Sequence, residues 1–367
     1  MSEHKLKVAV VLPYFGKGGA EHMVANYIAA MTLRHTELRV FCIYGAPQGN
    51  EMERRIAAQG INIEYIGKGK GFSAPAVVRL YQRLSRFDPD VVHTHLYACV
   101  YVLPWIFTHQ VHMLHTFHNL PEIENRRIAR RWMMDFAIRR GQVTPVAISD
   151  ENRALLIDYY HLAEAQIPVV RNPVRIAHFK TDERIMHSPV RFVTLGRLSL
   201  QKNHLLMLHA FRAALDRGIS ATLVIAGDGE LKDKLTAEVG LLGLTDQVSF
   251  VGYLEDVAPL LASADIFVLS SDYEGLPIAA LEAMASGLPI LSTDVGGMRD
   301  LVSDNGILVP KEDSGVLSEA MVVLARNADL CLTMGRRSEQ LVQAFSDDAA
   351  AECYLALYQK YGNKNVR

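Results

Sequence analysis

The first half of the chain alternates short apolar runs with stretches of helical periodicity. Residues 7–12 predict a strand buried on both faces, and a loop leads from Pro13 to a helix that begins near Ala20. Further apolar runs of strand length lie at 38–44, 61–66, 90–93, 111–117 and 143–148. Strands that alternate with helices predict a parallel sheet that is covered on both sides.

The same pattern restarts in the second half. Residues 192–195 predict a strand, Gly196 to Asn203 a loop, and His204 to Leu215 a helix. Further strands are expected at 221–226, 248–251, 265–269, 288–292 and 307–309. The predicted fold class is therefore α/β, with two Rossmann-like, doubly wound domains. Ligands of such sheets bind beyond the carboxyl ends of the strands, so we expect the two domains to face each other across a cleft.

Composition and charge narrow the class of protein. Half of the 367 residues are hydrophobic and 21% are charged, which is typical of a globular protein with room for two domains. No apolar run reaches the roughly eighteen residues of a membrane span, and no signal segment is recognisable. Four separated cysteines without a Cys-x-x-Cys pair favour a reduced, cytoplasmic location.

Charge is unevenly distributed along the chain. Residues 1–180 carry 22 lysines and arginines against 15 acidic residues, whereas residues 181–367 carry 16 against 25. The two halves therefore either meet different partners or simply have different surfaces. The pI near 6.7 does not favour nucleic acid as a partner.

A glycine-rich loop, Gly16 to Glu21, joins the first strand to the first helix. The N-terminus of that helix offers free N–H groups that suit a phosphate, and Gly18 and Gly19 would permit a close approach. The loop matches neither a dinucleotide fingerprint nor a Walker loop, and a plain tight turn is an equally good interpretation.

The matching loop of the second half contains Arg197 and Lys202, which could converge on one polyanion. Two solvated surface cations are the alternative. Two smaller signals, Gly227 to Glu230 and the turn that ends at Leu254, also follow predicted strands. Either could lie near a ligand or be an ordinary loop.

Two glutamates, Glu274 and Glu282, lie eight residues apart. On one helix they would be about 12 Å apart along the axis, more than the roughly 5–9.5 Å between the carboxylates of glycosidases. Gly275 and Pro277 predict that a helix begins near Pro277, which places Glu274 on a loop and Glu282 in the helix. Two carboxylates in these positions could accept hydrogen bonds from hydroxyls on different parts of an extended ligand. Alternatively, one glutamate caps the helix and the other is a surface residue.

Six of the fourteen histidines lie between His93 and His118. A spacing of three along a strand sends side chains to opposite faces, which disfavours a metal site. His118 differs because it follows the apolar run 111–117, where a neutral imidazole could bind a hydroxyl or relay a proton.

A basic stretch from Arg126 to Arg140 contains six arginines with apolar residues between them. An anionic membrane surface is one possible partner. A helix that packs on the sheet with its arginines in water is the other.

Taken together, these motifs resemble the retaining, nucleotide-sugar-dependent glycosyltransferases of the GT-B fold, in the large family four group. The resemblance covers nearly the whole chain. Its elements occur in the expected order: Gly-Gly-Ala-Glu at 18–21, Arg171-Asn172-Pro173-Val174, Gly196-Arg197-Leu198 with Lys202, Gly227-Asp228-Gly229, and the E-x7-E signature Glu274 to Glu282. Asn172-Pro173-Val174 departs from the family's more frequent Asn-Gly-Val.

The resemblance implies an acceptor-binding domain of residues 1–172, joined by a crossing helix in 347–367, and a donor-binding domain of residues 173–346. His118 matches the family's active-site histidine, Arg197 and Lys202 would hold the diphosphate, Glu274 the sugar and Glu282 the ribose. The implied donor-binding residues are Gly18, Gly19, Arg197, Lys202, Gly227, Leu254, Glu274, Gly275, Leu276, Pro277, Ile278 and Glu282, and the implied catalytic residues are His118, Arg197, Lys202 and Glu274.

The expected reaction is transfer of a sugar, with retention, from a nucleoside diphosphate sugar to a hydroxyl of a lipid-linked or cell-surface glycan. UDP is the commonest nucleotide in this family. We expect neither a cofactor nor a metal, on the premise that the chain offers no Asp-x-Asp motif for a divalent ion, so that cationic side chains and helix N-termini must stabilise the leaving diphosphate. A UDP-sugar 2-epimerase of the same fold and a non-catalytic nucleotide-sugar sensor are the rival hypotheses. The protein would act in the cytoplasm, in peripheral contact with the inner face of the membrane.

Overall fold

The computed structural model describes residues 5–16, 18–31, 36–124, 128–181 and 184–362. The chain divides into two compact units. Unit 1 comprises Met1–Pro173 and Asp347–Arg367, and unit 2 comprises Val174–Ser346. The division lies one residue beyond the boundary expected from the sequence.

Unit 1 alternates strands and helices from its first element. In chain order these are β1 (Leu6–Leu12), α1 (Gly19–Ala30), β2 (Thr36–Tyr44), α2 (Glu51–Ala58), β3 (Asn62–Lys68), α3 (Ala74–Phe87), β4 (Val91–His95), α4 (Cys99–Ile106), β5 (His112–Thr116), α5 (Pro121–Glu124), α6 (Ile128–Arg139), β6 (Val143–Val146) and α7 (Asp150–Tyr160). The strands form one parallel sheet in the order β3-β2-β1-β4-β5-β6.

Unit 2 repeats this arrangement. Its elements are α8 (Ile176–Phe179), β7 (Val190–Leu195), α9 (His204–Asp216), β8 (Ala221–Ala226), α10 (Lys232–Leu241), β9 (Val248–Gly252), α11 (Ala258–Ala262), β10 (Ile266–Leu269), α12 (Ile278–Ala285), β11 (Ile290–Thr293), α13 (Met298–Leu301), β12 (Gly306–Val309), α14 (Ser314–Ala325) and α15 (Ala328–Leu341). All strands are parallel, in the order β12-β11-β10-β7-β8-β9.

Both sheets therefore have the doubly wound order in which the strand sequence reverses next to the first strand. The reversal lies between β1 and β4 in unit 1 and between β7 and β10 in unit 2. This confirms the predicted fold class. The strand bounds lie within two residues of the predicted ones, and two of the differences have a visible cause: β11 starts after Pro289, which has no N–H for the ladder, and β6 ends where Ala147 pairs with Val169 instead.

The last helix, α16 (Asp347–Gly362), belongs to unit 1 and packs against α1. Its Tyr354 and Tyr358 are fully buried there. Among the helices of the described residues, none is long and apolar enough to cross a membrane.

Candidate active site

The two loops at the point of strand reversal in unit 2 are joined to each other. One follows β7 and the other follows β10, so both lie at the carboxyl edge of the sheet. The backbone N–H of Asp272 donates to the carbonyl of Gln201 at 2.9 Å, and the hydroxyl of Ser270 donates to the carbonyl of Lys202 at 3.0 Å. Asn203 also donates to the Asp272 carboxylate at 2.8 Å. These bonds fix the two loops as one structure where a doubly wound sheet binds its ligand.

Lys202 and Glu274 meet at this junction. The Lys202 Nζ lies 2.5 Å from Glu274 Oε1, and the Ser271 hydroxyl donates to the same oxygen, also at 2.5 Å. The two charged side chains are only 16% and 6% exposed. Burial strengthens their attraction and makes it costly to leave either charge without the other. The pair therefore has a single well-defined geometry.

Glycines allow the surrounding backbone to pack this closely. A Cβ on Gly227 would overlap the carbonyl oxygen of Gly196, and a Cβ on Gly296 would overlap that of Glu274. Gly297 donates its N–H to the carbonyl of Gly275 at 2.7 Å. The sequence interpretation missed Gly296 and Gly297, although a glycine pair in the loop after a predicted strand is the same kind of signal that marked the other loops.

Arg197 does not join the Lys202–Glu274 pair. Its side chain is 73% exposed and forms an ion pair with Glu230, Nη2 to Oε2 at 3.1 Å. In the described structure Arg197 and Lys202 thus have separate acidic partners rather than converging. Leu254 lies on the loop after β9 and is partly exposed.

The second glutamate lies where the sequence predicted. Pro277 is the N-cap residue of α12, so Glu274 is on the preceding loop and Glu282 is inside the helix. Leu276 and Ile278 are buried, which leaves their backbone groups as the means of contacting a ligand.

The carboxyl group of Glu282 is an unusually weak acid. Burial raises the pKa of its carboxyl group to about 8; Asp256 adds to the shift, and Arg175 opposes it. At neutral pH Glu282 therefore favours the protonated form, which can donate a hydrogen bond as well as accept one.

In unit 1, α1 begins at Gly19 with Gly18 as its N-cap. Gly18 has no side chain with which to cap this end, and the buried Glu21 carboxyl lies where a Cβ on Gly18 would be. Burial raises the pKa of Glu21. Lys17, which lies in this loop, is outside the described residues.

His118 is held firmly just beyond β5. Its backbone N–H donates to Glu124 Oε1 at 2.6 Å, and the N–H of Asn119 donates to the same oxygen at 2.9 Å. Glu124 is itself buried. No sequence signal marks Glu124, because its partners are backbone groups that only the folded loop brings to it.

A chain of buried rings connects His118 to the C-terminal helix. His118 Nε2 lies 3.0 Å from His95 Nδ1, and His95 Nε2 lies 3.1 Å from the Tyr27 hydroxyl. The same hydroxyl is 3.3 Å from His93 Nδ1, which is 2.7 Å from the Tyr358 hydroxyl. This network orients His118 and links it to α16.

The other three histidines of the stretch from His93 to His118 have individual partners. His109 stacks on Trp105, His112 bonds to Thr144 at 2.8 Å, and His115 bonds to Thr94 at 2.8 Å. Within the described ranges, no three histidine, cysteine or acidic side chains are grouped as metal ligands. The sequence does contain one Asp-x-Asp, Asp88-Pro89-Asp90, but it precedes β4 at the opposite edge of the sheet, and Asp90 accepts the N–H of Lys7 there.

Three of the buried histidines, His93, His95 and His118, predict a loss of stability in acid. Burial lowers the pKa of His118 to about 4, with Glu124 opposing and His115 adding to the shift, and burial also lowers the pKa of His93 and His95. Between about pH 6.5 and pH 4 the unfolded chain therefore binds protons that the folded chain does not, and stability falls as pH falls.

The test compares thermal midpoints of the wild type and His118→Gln at pH 7.5, 6.5 and 5.5. The difference should be constant above about pH 6.5 and then shift in favour of the variant by up to about 1.4 kcal/mol per pH unit. Groups that do not interact with His118 titrate equally in both proteins and cancel, so the measured shift reports His118 together with its coupled neighbours His93, His95 and Glu124. Parallel curves down to pH 5.5 would contradict the buried, neutral state of His118.

Comparison with known proteins identifies the class of this protein. The chain superposes on the crystal structure of Anabaena Alr3699/HepE in complex with UDP-glucose with a TM-score of 0.82, at 19% identity, over 97% of this chain and 100% of that one. The two doubly wound units thus form a GT-B fold. The family model described as "Glycosyltransferase Family 4" matches residues 17–178, and "Glycosyl transferases group 1" matches residues 189–327. The chain belongs to the GT-B glycosyltransferases of the family four type.

Two relatives indicate the range of this similarity. The UDP-Gal:alpha-D-GlcNAc-diphosphoundecaprenol alpha-1,3-galactosyltransferase of Escherichia coli is 25% identical over 74% of this chain and 75% of its own length. The lipopolysaccharide core biosynthesis glycosyltransferase LpsE of Rhizobium meliloti is 33% identical over 45% of this chain and 48% of its own length. The chain thus matches about half of the length of LpsE.

Proposed function

We propose that this glycosyltransferase moves a sugar, with retention, from a UDP-sugar to a hydroxyl of a lipid-linked or cell-surface glycan during polysaccharide or lipopolysaccharide biosynthesis. The observation that carries the proposal is the buried Lys202–Glu274 pair at the strand reversal of unit 2. The names of the two relatives support the acceptor class, and the UDP-glucose complex of the structural neighbour supports the donor.

The chemistry of donor cleavage fits these residues. Breaking the bond between sugar and diphosphate builds negative charge on the departing nucleotide. The Lys202 ammonium and the first N–H groups of α12 can stabilise that charge, at about 1.5–3 kcal/mol for each charge-assisted hydrogen bond. Glu274 accepts sugar hydroxyls and holds the Lys202 side chain in place. A lysine that is ordered before the donor arrives loses less entropy on binding.

Retention and independence of metal are further parts of the proposal. Proton NMR of the product formed in the first minutes gives the anomeric configuration directly. Excess EDTA should leave the rate unchanged, because this mechanism assigns neutralisation of the diphosphate to Lys202 and backbone N–H groups. A product with the inverted anomeric configuration would contradict retention. A rate that is restored only by added Mg²⁺ or Mn²⁺ would contradict independence of metal.

Glu282 provides a selective prediction for donor binding. Because its pKa is raised to about 8, it favours the neutral acid at pH 7, and glutamine is a close isostere of that acid. Glu282→Gln should therefore keep the dissociation constant for UDP within about threefold, whereas Glu282→Leu should weaken it by about tenfold through a lost hydrogen bond. Isothermal titration at pH 6.5 measures both, and equal losses in the two variants would contradict a hydrogen-bonding role.

The general test is a thermal-shift screen with nucleotide sugars, followed by transfer assays with lipid-linked acceptors. A donor at 100 times its dissociation constant should stabilise the protein by about 2.7 kcal/mol. Sugar transfer supports the proposal. Epimerised sugar formed without an acceptor would show that the protein is an isomerase instead. Tight donor binding without turnover on any acceptor would show that it is a nucleotide-sugar sensor.

A further inference from the structure

Helix α6 exposes a row of large apolar side chains to water, which is not expected of a helix that only covers a sheet. Ile128 is 76% exposed, Trp132 73% and Phe136 51%, and they occupy every fourth position. Phe107, from the end of α4, extends the row, with its ring centroid 5.8 Å from that of Phe136. We call these four residues the apolar ridge. The opposite face of α6 is the one that packs, through Met134, Ala137 and Ile138.

The apolar ridge is more than scattered surface hydrophobicity. Residues at i, i+4 and i+8 lie on one side of a helix, so the large side chains form one continuous strip. A strip of this kind on a water-exposed helix marks a surface that another phase or molecule covers. Tryptophan and phenylalanine on such a strip are typical of helices that lie in a membrane interface.

Arginines border the apolar ridge. Arg131, Arg139 and Arg140 are exposed, and the Arg140 guanidinium lies 5.3 Å from the Phe136 ring centroid. Asp135, which pairs with Arg139 at 2.8 Å, is the one acidic residue among residues 128–140, against four arginines. The surface is therefore both apolar and cationic, which matches the interface of an anionic bilayer.

Arg130, in contrast, turns towards the protein. It is half-buried and its Nη2 donates to the carbonyl of Leu96 at 3.4 Å. A charge change at Arg130 would therefore disturb packing as well as surface charge, and it is unsuitable as a probe of the surface.

We propose that the apolar ridge docks unit 1 onto an anionic lipid bilayer. Helix α6 lies in the plane of the interface, Ile128, Trp132 and Phe136 enter the boundary between headgroups and acyl chains, and Arg131, Arg139 and Arg140 contact lipid phosphates. A second copy of the chain fits less well, because a symmetric dimer through the apolar ridge would bring two arginine clusters together. The inference goes beyond the proposed function, since it needs no feature of the Lys202–Glu274 site.

The test is flotation with vesicles of phosphatidylglycerol and phosphatidylcholine, compared with phosphatidylcholine alone. Wild type should float with the anionic vesicles, and high salt should weaken this binding. Trp132→Ser/Phe136→Ser and Arg131→Gln/Arg139→Gln/Arg140→Gln should each reduce the bound fraction by about tenfold or more. Leu241→Ser is the matched control, because Leu241 is 83% exposed but lies on α10 of unit 2. This variant should bind the vesicles as well as wild type does.

Fluorescence gives a direct second measurement. The chain has two tryptophans, and Trp105 is buried, so a blue shift on adding vesicles reports Trp132. All substituted residues are exposed, and an unchanged thermal shift with UDP shows that the fold and donor site are intact. Flotation that is equal with anionic and neutral vesicles, or that the serine substitutions do not reduce, would overturn the proposal. Concentration-dependent dimerisation that those substitutions abolish would assign the apolar ridge to self-association instead.

Discussion

Lys202→Ala is expected to lower turnover by about 100- to 1,000-fold, the range seen when one preorganised donor to a developing negative charge is removed. Glu274→Ala should have an effect of similar size, because Glu274 Oε1 holds the Lys202 ammonium at 2.5 Å and, in the proposed mechanism, Glu274 accepts sugar hydroxyls. Initial rates of UDP release with a saturating acceptor measure both. Lys234→Ala, an exposed lysine on α10, is the matched control and should retain full activity.

Stability measurements separate catalysis from folding in these variants. Removing one member of a buried ion pair leaves the other charge without its partner, at a cost of about 3–5 kcal/mol for full burial. The double variant Lys202→Ala/Glu274→Ala leaves no such charge, so it should unfold at a higher temperature than the less stable single variant. Its turnover should nevertheless stay low. Near-normal turnover in both single variants would exclude the proposed site.

Gly227→Ala is expected to destabilise unit 2 strongly. Gly227 has a φ of +145°, which disfavours other residues, and an added Cβ would overlap the Gly196 carbonyl oxygen. Backbone strain and overpacking together cost about 2–5 kcal/mol. For a unit of this size, the thermal midpoint should fall by roughly 5–15 °C. Affinity for UDP should fall with it, because the Gly196 loop leads into Lys202.

Gly240→Ala is the control for this prediction. Gly240 lies in α10, and an added Cβ there meets no atom within 4 Å. Alanine should be neutral or stabilising by up to about 1 kcal/mol, because it is the better helix former. Scanning calorimetry of both variants gives the comparison. If Gly227→Ala unfolds at the same temperature as Gly240→Ala, the tight contact with Gly196 does not exist in solution.

Local pattern was sufficient for much of the architecture. The strand at 221–226 and the helix from His204 were predicted almost to the residue, because apolar periodicity and glycine are signals that act over a few neighbours. The start of α12 after Pro277 followed from proline's preference for helix N-termini. These local signals also placed Glu274 on a loop and Glu282 in a helix.

The sequence alone determined two doubly wound units and the order of their strand-end loops, because these depend on interactions between neighbours in the chain. Only the tertiary structure decided which charges pair: Lys202 with Glu274, 72 residues away, and Arg197 with Glu230 rather than with a shared anion site. It also decided that Met134 packs while Trp132 faces water, since both are apolar in the sequence. Long-range packing selects one face of a helix and one partner for a charge, and no short window of sequence contains that information.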